Sequence, residues 1–230
     1  MVDVNDFMKV DIEYDDLVQA ISLSLDKSFL DNLRQRNAFV QLDSKVRGYL
    51  GEFAIRKLIN TSKHLSILEA DYVPNDSYED KDIVVENKHS SDIILEIKTS
   101  LMPDIWHSLD AILKNADIKI IKREQSYKNI RADFHVQVYF NFYRKERDKF
   151  LSELPGVPDN YTIEKLIEIM RLEKLRELFV AWIDKPTLIK NLDGMACKTW
   201  HFGYRDFWKC PLRLANPPSE FINVLESYKK

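Results

Sequence analysis

The segment Ile93-Ile-Leu-Glu-Ile-Lys-Thr99 constrains this chain more than any other. Successive side chains of a strand leave opposite faces. Ile93, Leu95 and Ile97 therefore share one face, and Ile94, Glu96 and Lys98 share the other. A strand of this kind must bury its apolar face in a sheet. Its second face holds an acid and a base side by side.

The flanking sequence says what surrounds that strand. Roughly the first 40 residues read as helical, with Leu17, Ala20, Ile21, Ser24 and Leu25, then Phe29, Leu30 and Leu33, at helical spacing. A second helix is marked between Lys45 and Asn60 by the stripe Leu50, Phe53, Ala54, Leu58 and Ile59. After Thr61 the period turns extended. Leu65 to Val73 and Asp82-Ile-Val-Val85 read as strands, and Glu86 to Asp92 as a polar connection of hairpin type. Met102 to Gln125 leaves helix and strand both open. Phe134 to Tyr143 reads as a strand, Tyr161 to Leu178 as an amphipathic helix, and Phe179 to Ile183 as a short buried strand. Thr199 to Phe202 adds another strand, and Pro218 to Tyr228 a closing helix. The expectation is an α/β (α+β) fold: a mixed central sheet flanked by helices. A helical N-terminal addition, 1–44, would form one compact unit with a main domain, 45–230.

Phosphodiester hydrolysis needs an activated water and neutralisation of charge on the phosphate, and a divalent cation supplies both. Magnesium takes hard oxygen ligands, with one or two carboxylates from the protein, and a nearby ammonium can orient the water. Asp82, followed at hairpin range by Glu96-Ile97-Lys98, provides that kit. In this pattern, Asp82 … Leu95-Glu96-Ile97-Lys98-Thr99, the chain resembles the PD-(D/E)XK nuclease superfamily. A second point of resemblance is Gly48-Tyr-Leu-Gly51-Glu52 on the preceding helix, and a softer third is the strand around Ala132 to Tyr139. The resemblance implies a restriction-endonuclease-like core. Asp82, Glu96 and the backbone carbonyl of Ile97 would bind Mg²⁺, for which Mn²⁺ may substitute. Lys98 would stand at the nucleophile, with Glu52 in support. It further implies an endodeoxyribonuclease of the restriction type, acting on double-stranded DNA as a homodimer. A structure-specific repair or phage nuclease, or a non-catalytic DNA-binding module of the same fold, is the alternative. The proline of the motif name is absent, since Lys81 precedes Asp82, and Asp76 and Asp80 compete for the place of first acid.

Plainer readings stand beside these. Glu-x-Lys on an exposed strand is commonly a solvated pair, and Glu52 can pair with Arg56 along the helix. Thr99 and Ser100 read as the end of the strand. The net charge of −3 gives no basic excess for nucleic acid, so basic residues must act locally. Lys119, Lys122, Arg123, Lys128 and Arg131 are the better candidates for phosphate contact, whereas Arg144 to Lys149, interleaved with acids, reads as a solvated turn. Trp200, His201, Tyr204, Arg205, Phe207 and Trp208 read as core packing. None of His64, His89, His107, His135 and His201 has metal spacing, so each reads as structural or surface. Cys197 and Cys210 are too few and too far apart for a zinc motif. With no apolar run of membrane length, a cytoplasmic location is expected.

Overall fold

The computed structural model describes residues 2–26, 37–68, 82–87, 92–203 and 205–229. Several expectations therefore fall outside the described residues: the helical positions Phe29, Leu30 and Leu33, the acids Asp76 and Asp80, His89, Tyr204 and the stretch from 69 to 73.

The chain runs β1 (Met8–Val10), α1 (Tyr14–Asp26), α2 (Ala38–Ile59), β2 (Leu65–Leu68), β3 (Ile83–Asn87) and β4 (Ile93–Met102). It continues with α3 (Leu109–Asn115), β5 (Ile120–Ile121), β6 (Phe134–Tyr143), α4 (Arg144–Ser152), α5 (Ile163–Ile169) and β7 (Glu177–Asp184). It closes with α6 (Lys185–Asp193), β8 (Thr199–Phe202), β9 (Arg205–Trp208) and α7 (Phe221–Ser227). The main sheet has the order β1-β7-β6-β4-β3-β2, and a small sheet the order β5-β9-β8. Strands β4 and β6 are parallel and all other neighbours in the main sheet antiparallel, so the fold is mixed α/β as the alternation of periods implies. Among the described residues no helix is long and apolar enough to cross a membrane.

The two faces of β4 enter different cores. Ile93, Leu95 and Ile97 pack with Val46, Leu50 and Ile55 of α2 and with Phe134 and Val136 of β6. The opposite face of the sheet is covered by the segment that connects β4 to β6. Its residues Ile112, Ile118, Ile120 and Ile130 pack with Tyr139, Ile183 and Trp208. Parallel neighbours need such a crossover, because a tight turn cannot join them.

Several elements differ from expectation. The N-terminal region is not wholly helical, since Met8–Val10 forms an edge strand on β7. Strand β4 does not stop at Thr99. It extends to Met102 because β6 pairs with it through that point, and Ser100 is buried. The helix expected over 161–178 ends at Ile169. Arg171 takes a left-handed conformation (φ 52°), which breaks the helical path, and Leu178 belongs to β7 instead. Arg144–Lys149 is not a solvated turn but the start of α4, where Arg147 is fully buried. The charge interleaving hid a single inward-facing position.

Arg147 has a reason to be inside. Its Nη2 lies 2.6 Å from Asp43 Oδ1, and Arg47 Nε donates to Asp43 Oδ2 at 2.8 Å. Burial pushes the Asp43 carboxyl up, but the two guanidinium groups overcome that and hold it below the usual range. This cluster ties α2 to α4. At the other contact of α2, Gly51 lies against β4 so closely that a Cβ added there would sit 2.3 Å from Thr99 Cγ2. A glycine inside a helix weakens it; here it permits the close crossing.

Two stability tests follow. Gly51→Ala is expected to lose about 1–3 kcal/mol by overpacking, while Gly48→Ala, which meets open space, is expected to gain up to ~1 kcal/mol. Chemical denaturation separates them, and Thr99→Ser should recover most of the Gly51→Ala loss. Asp43→Asn, which leaves two buried arginines without their anion, is expected to cost about 3–5 kcal/mol in the same measurement.

Candidate active site

Strand pairing brings the candidate acids together. The β3–β4 register sets Ile83 opposite Leu95 and Val84 opposite Ile94, and Asp82, just before β3, stays bonded to β4 on either side of Glu96. The Asp82 N–H donates to the Leu95 carbonyl at 3.0 Å, and Asp82 Oδ2 accepts from the Ile97 N–H. Within an extended strand the N–H and C=O of one residue point to the same edge. The Ile97 carbonyl thus faces the edge where β3 has ended, beside Asp82.

Glu96 is the centre of the cluster. It is 3% exposed, and three cationic or potentially cationic groups surround its carboxylate. Lys98 Nζ is 2.8 Å from Oε1 and Arg123 Nη1 is 3.2 Å from the same oxygen. His135 Nδ1 is 2.8 Å from Oε2, an electrostatic contact that lies off the line of a directed hydrogen bond. Burial alone would raise the Glu96 pKa; Lys98, followed by His135, outweighs it and draws the group down to about 2. Asp82 moves the other way. Burial lifts it above the usual carboxylate range, with Glu96 adding to the lift, against the pull of Lys98 and the Ile97 N–H. Two adjacent carboxyl groups pushed apart in this way are a frequent sign of a functional centre. Burial would lower Lys98, yet Asp82, Glu96 and then Glu52 hold it above its ordinary value. Lys98 is therefore an ammonium, suited to orient and stabilise rather than to abstract a proton.

Glu52 acts on Lys98 because the residue before it, Gly51, touches β4. The expected phosphate contacts are dispersed. Arg123 turns inward to Glu96, and Lys122 Nζ lies 5.2 Å over the Trp208 ring. The Lys119 backbone N–H donates to Gln137 Oε1, while Lys128 and Arg131 are exposed. Trp200 and Phe207 stack at 4.6 Å across the β8–β9 hairpin and Phe207 and Trp208 are buried, in keeping with packing, whereas His201 and Arg205 are exposed and not part of a core.

Two site residues escaped the sequence reading. His135, read as structural or surface, is buried against Glu96. Gln137, opposite Lys98, donates to the Lys98 carbonyl and to Ser100 Oγ. The alternation of β6 placed both on one face, but nothing local says that β6 lies beside β4. A small open cleft reaches the cluster, lined by Glu96, Arg123, Glu124, His135 and Trp208 among others. Among the described residues, no group of three or more His, Cys, Asp and Glu converges as a metal site; the acids come as a pair.

No family model, no curated protein and no solved structure matches the chain.

The charge pattern predicts an acid limb of stability. Glu96 is depressed from 4.5 to about 2, so its contribution is complete above pH 4.5 and is lost as pH falls toward 2. Glu96→Gln, which removes the buried anion that Lys98 and Arg123 share, is expected to destabilise the protein by about 3–5 kcal/mol at pH 7. Its stability should also fall less steeply than the parent's between pH 5 and about 3, as read by thermal melts across that range.

Proposed function

We propose that this chain is a divalent-metal-dependent endodeoxyribonuclease with a restriction-endonuclease-like core, resembling the PD-(D/E)XK superfamily. One observation carries the reading. Half-buried Asp82 is hydrogen-bonded to Leu95 and Ile97, on either side of buried Glu96, and Lys98 contacts Glu96 at 2.8 Å. The helix before the sheet adds Glu52 to the field at Lys98. The antiparallel β3–β4 pair, the parallel β6 and the last strand β7 supply the framework on which such a motif operates.

The donor set suits magnesium or manganese. Asp82 is raised in part by repulsion from Glu96, a strain that a shared cation relieves, and Mg²⁺ commonly takes only one or two carboxylates. Asp82, Glu96 and the Ile97 carbonyl would hold the ion. Such an ion, when bound, supplies an activated water and neutralises phosphate charge. The Lys98 ammonium orients that water and stabilises negative charge as it develops. Glu52 and Glu96 keep Lys98 charged and in place. Lys128 and Arg131 are exposed and suit contact with a DNA backbone. The substrate is duplex DNA, cut on both strands by a homodimer of the restriction type acting inside the cell.

A second reading has its own observation. Both Glu96 oxygens already have partners, Lys98 and Arg123 at Oε1 and His135 at Oε2, as in a structural polar network. That would leave a DNA-binding module without turnover.

Cleavage of supercoiled plasmid and phage DNA with Mg²⁺ or Mn²⁺ separates these. Discrete fragments from the parent are expected. Lys98→Ala should cut slower by about 10²–10³-fold, the scale of losing one charge-stabilising donor. Absence of cleavage on several DNAs, together with absence of Ca²⁺ or Mn²⁺ binding, would sink the nuclease reading in favour of the module.

A further inference from the structure

Three groups crowd one buried carboxylate, and they are not held alike. Lys98 sits two residues from Glu96 on the same strand, and His135 lies opposite on β6 with its side chain 2% exposed. Arg123 differs in two ways. It follows the two-residue strand β5 in the crossover segment, and its 3.2 Å contact is longer than the 2.8 Å contacts of the others. It also lines the cleft that opens onto Glu96. A guanidinium at the mouth of a cleft can rotate away without moving the backbone. The enclosed His135 has no such freedom.

Resting on the metal-nuclease reading above, we infer that Arg123 is an exchangeable counter-ion. In the unliganded protein it neutralises Glu96. A divalent cation competes with it for Oε1. Once displaced, its guanidinium is left beside the metal site, where it can bind a DNA phosphate through two N–H groups. Arg123 would thus be a phosphate-binding residue whose availability depends on the metal. This also gives a positive group in the cleft a purpose. A purely structural partner for Glu96 has no reason to come from the exposed side, since Lys98 and His135 already flank both oxygens.

The role predicts effects of opposite sign from one substitution. Arg123→Met keeps an unbranched apolar stem and removes the guanidinium with its charge. Calorimetric titration with Ca²⁺, which reports binding without turnover, should show roughly tenfold tighter binding than the parent, the scale of one partly screened charge removed a few ångströms away. Anisotropy with a short DNA duplex in saturating Ca²⁺ should show roughly tenfold weaker binding. Arg123→Lys should return Ca²⁺ affinity toward the parent value but leave duplex binding weak, because an ammonium cannot form the paired contact. Thermal melting checks that both variants fold. Unchanged or weaker Ca²⁺ binding by folded Arg123→Met would overturn the exchange and make Arg123 a structural partner, leaving the nuclease reading intact. Failure of the parent itself to bind Ca²⁺ or Mn²⁺ would overturn both.

Discussion

The parallel pairing of β4 with β6 is the constraint on which the candidate site depends. Its register sets Glu96 beside His135 and Lys98 beside Gln137, which gives the charged face of β4 a polar neighbour to face. A parallel pair also demands a long crossover. Residues 103–133 make it, packing Ile112, Ile118 and Ile120 over that same face. The crossover thereby buries Glu96 and brings Arg123 onto it. Had β4 and β6 been joined by a hairpin, Glu96 would have stayed at a solvated surface and its neighbours would have had little effect on it.

Burial is what turns three ordinary side chains into a strongly coupled set. An exposed Glu-x-Lys pair contributes little, because water screens it. Here the same pair lies under the crossover, and the two acids respond in opposite directions. Glu96, matched by cations, stays ionised to about pH 2, whereas Asp82, opposed by its neighbour, is driven up. The asymmetry comes from placement, since both are carboxylates on adjacent strands.

The parts legible in the sequence were those set by local period. The alternation of Ile93 to Thr99 located β4 and the shared face of Glu96 and Lys98. The aromatic run Phe134 to Tyr143 gave the limits of β6 as observed, and the stripe after Lys45 gave most of α2. What escaped was set by partners far along the chain. Ser100 read as a strand end because its ladder is completed by Tyr139. Arg147 read as solvated because its reason for burial, Asp43, lies on another helix. His135 and Arg123 join Glu96 only through the crossover. Leu178 read as helical because its spacing fits, and the left-handed turn at Arg171 carries no glycine to announce it.

The Asp43–Arg147 contact spans 104 positions of sequence, and this bears on the order in which the protein is made. During synthesis α2 emerges early, but its inward carboxylate has Arg147 as partner only after α4 has left the ribosome. Before then a buried, half-neutralised acid would oppose its docking on the sheet. Domains that close such long loops acquire their native contacts late. The helix that bears Glu52 is thus locked only after β3, β4 and β6 have all been synthesised. A growing chain would be without a finished centre until about two thirds of it exists, a delay written into one ion pair.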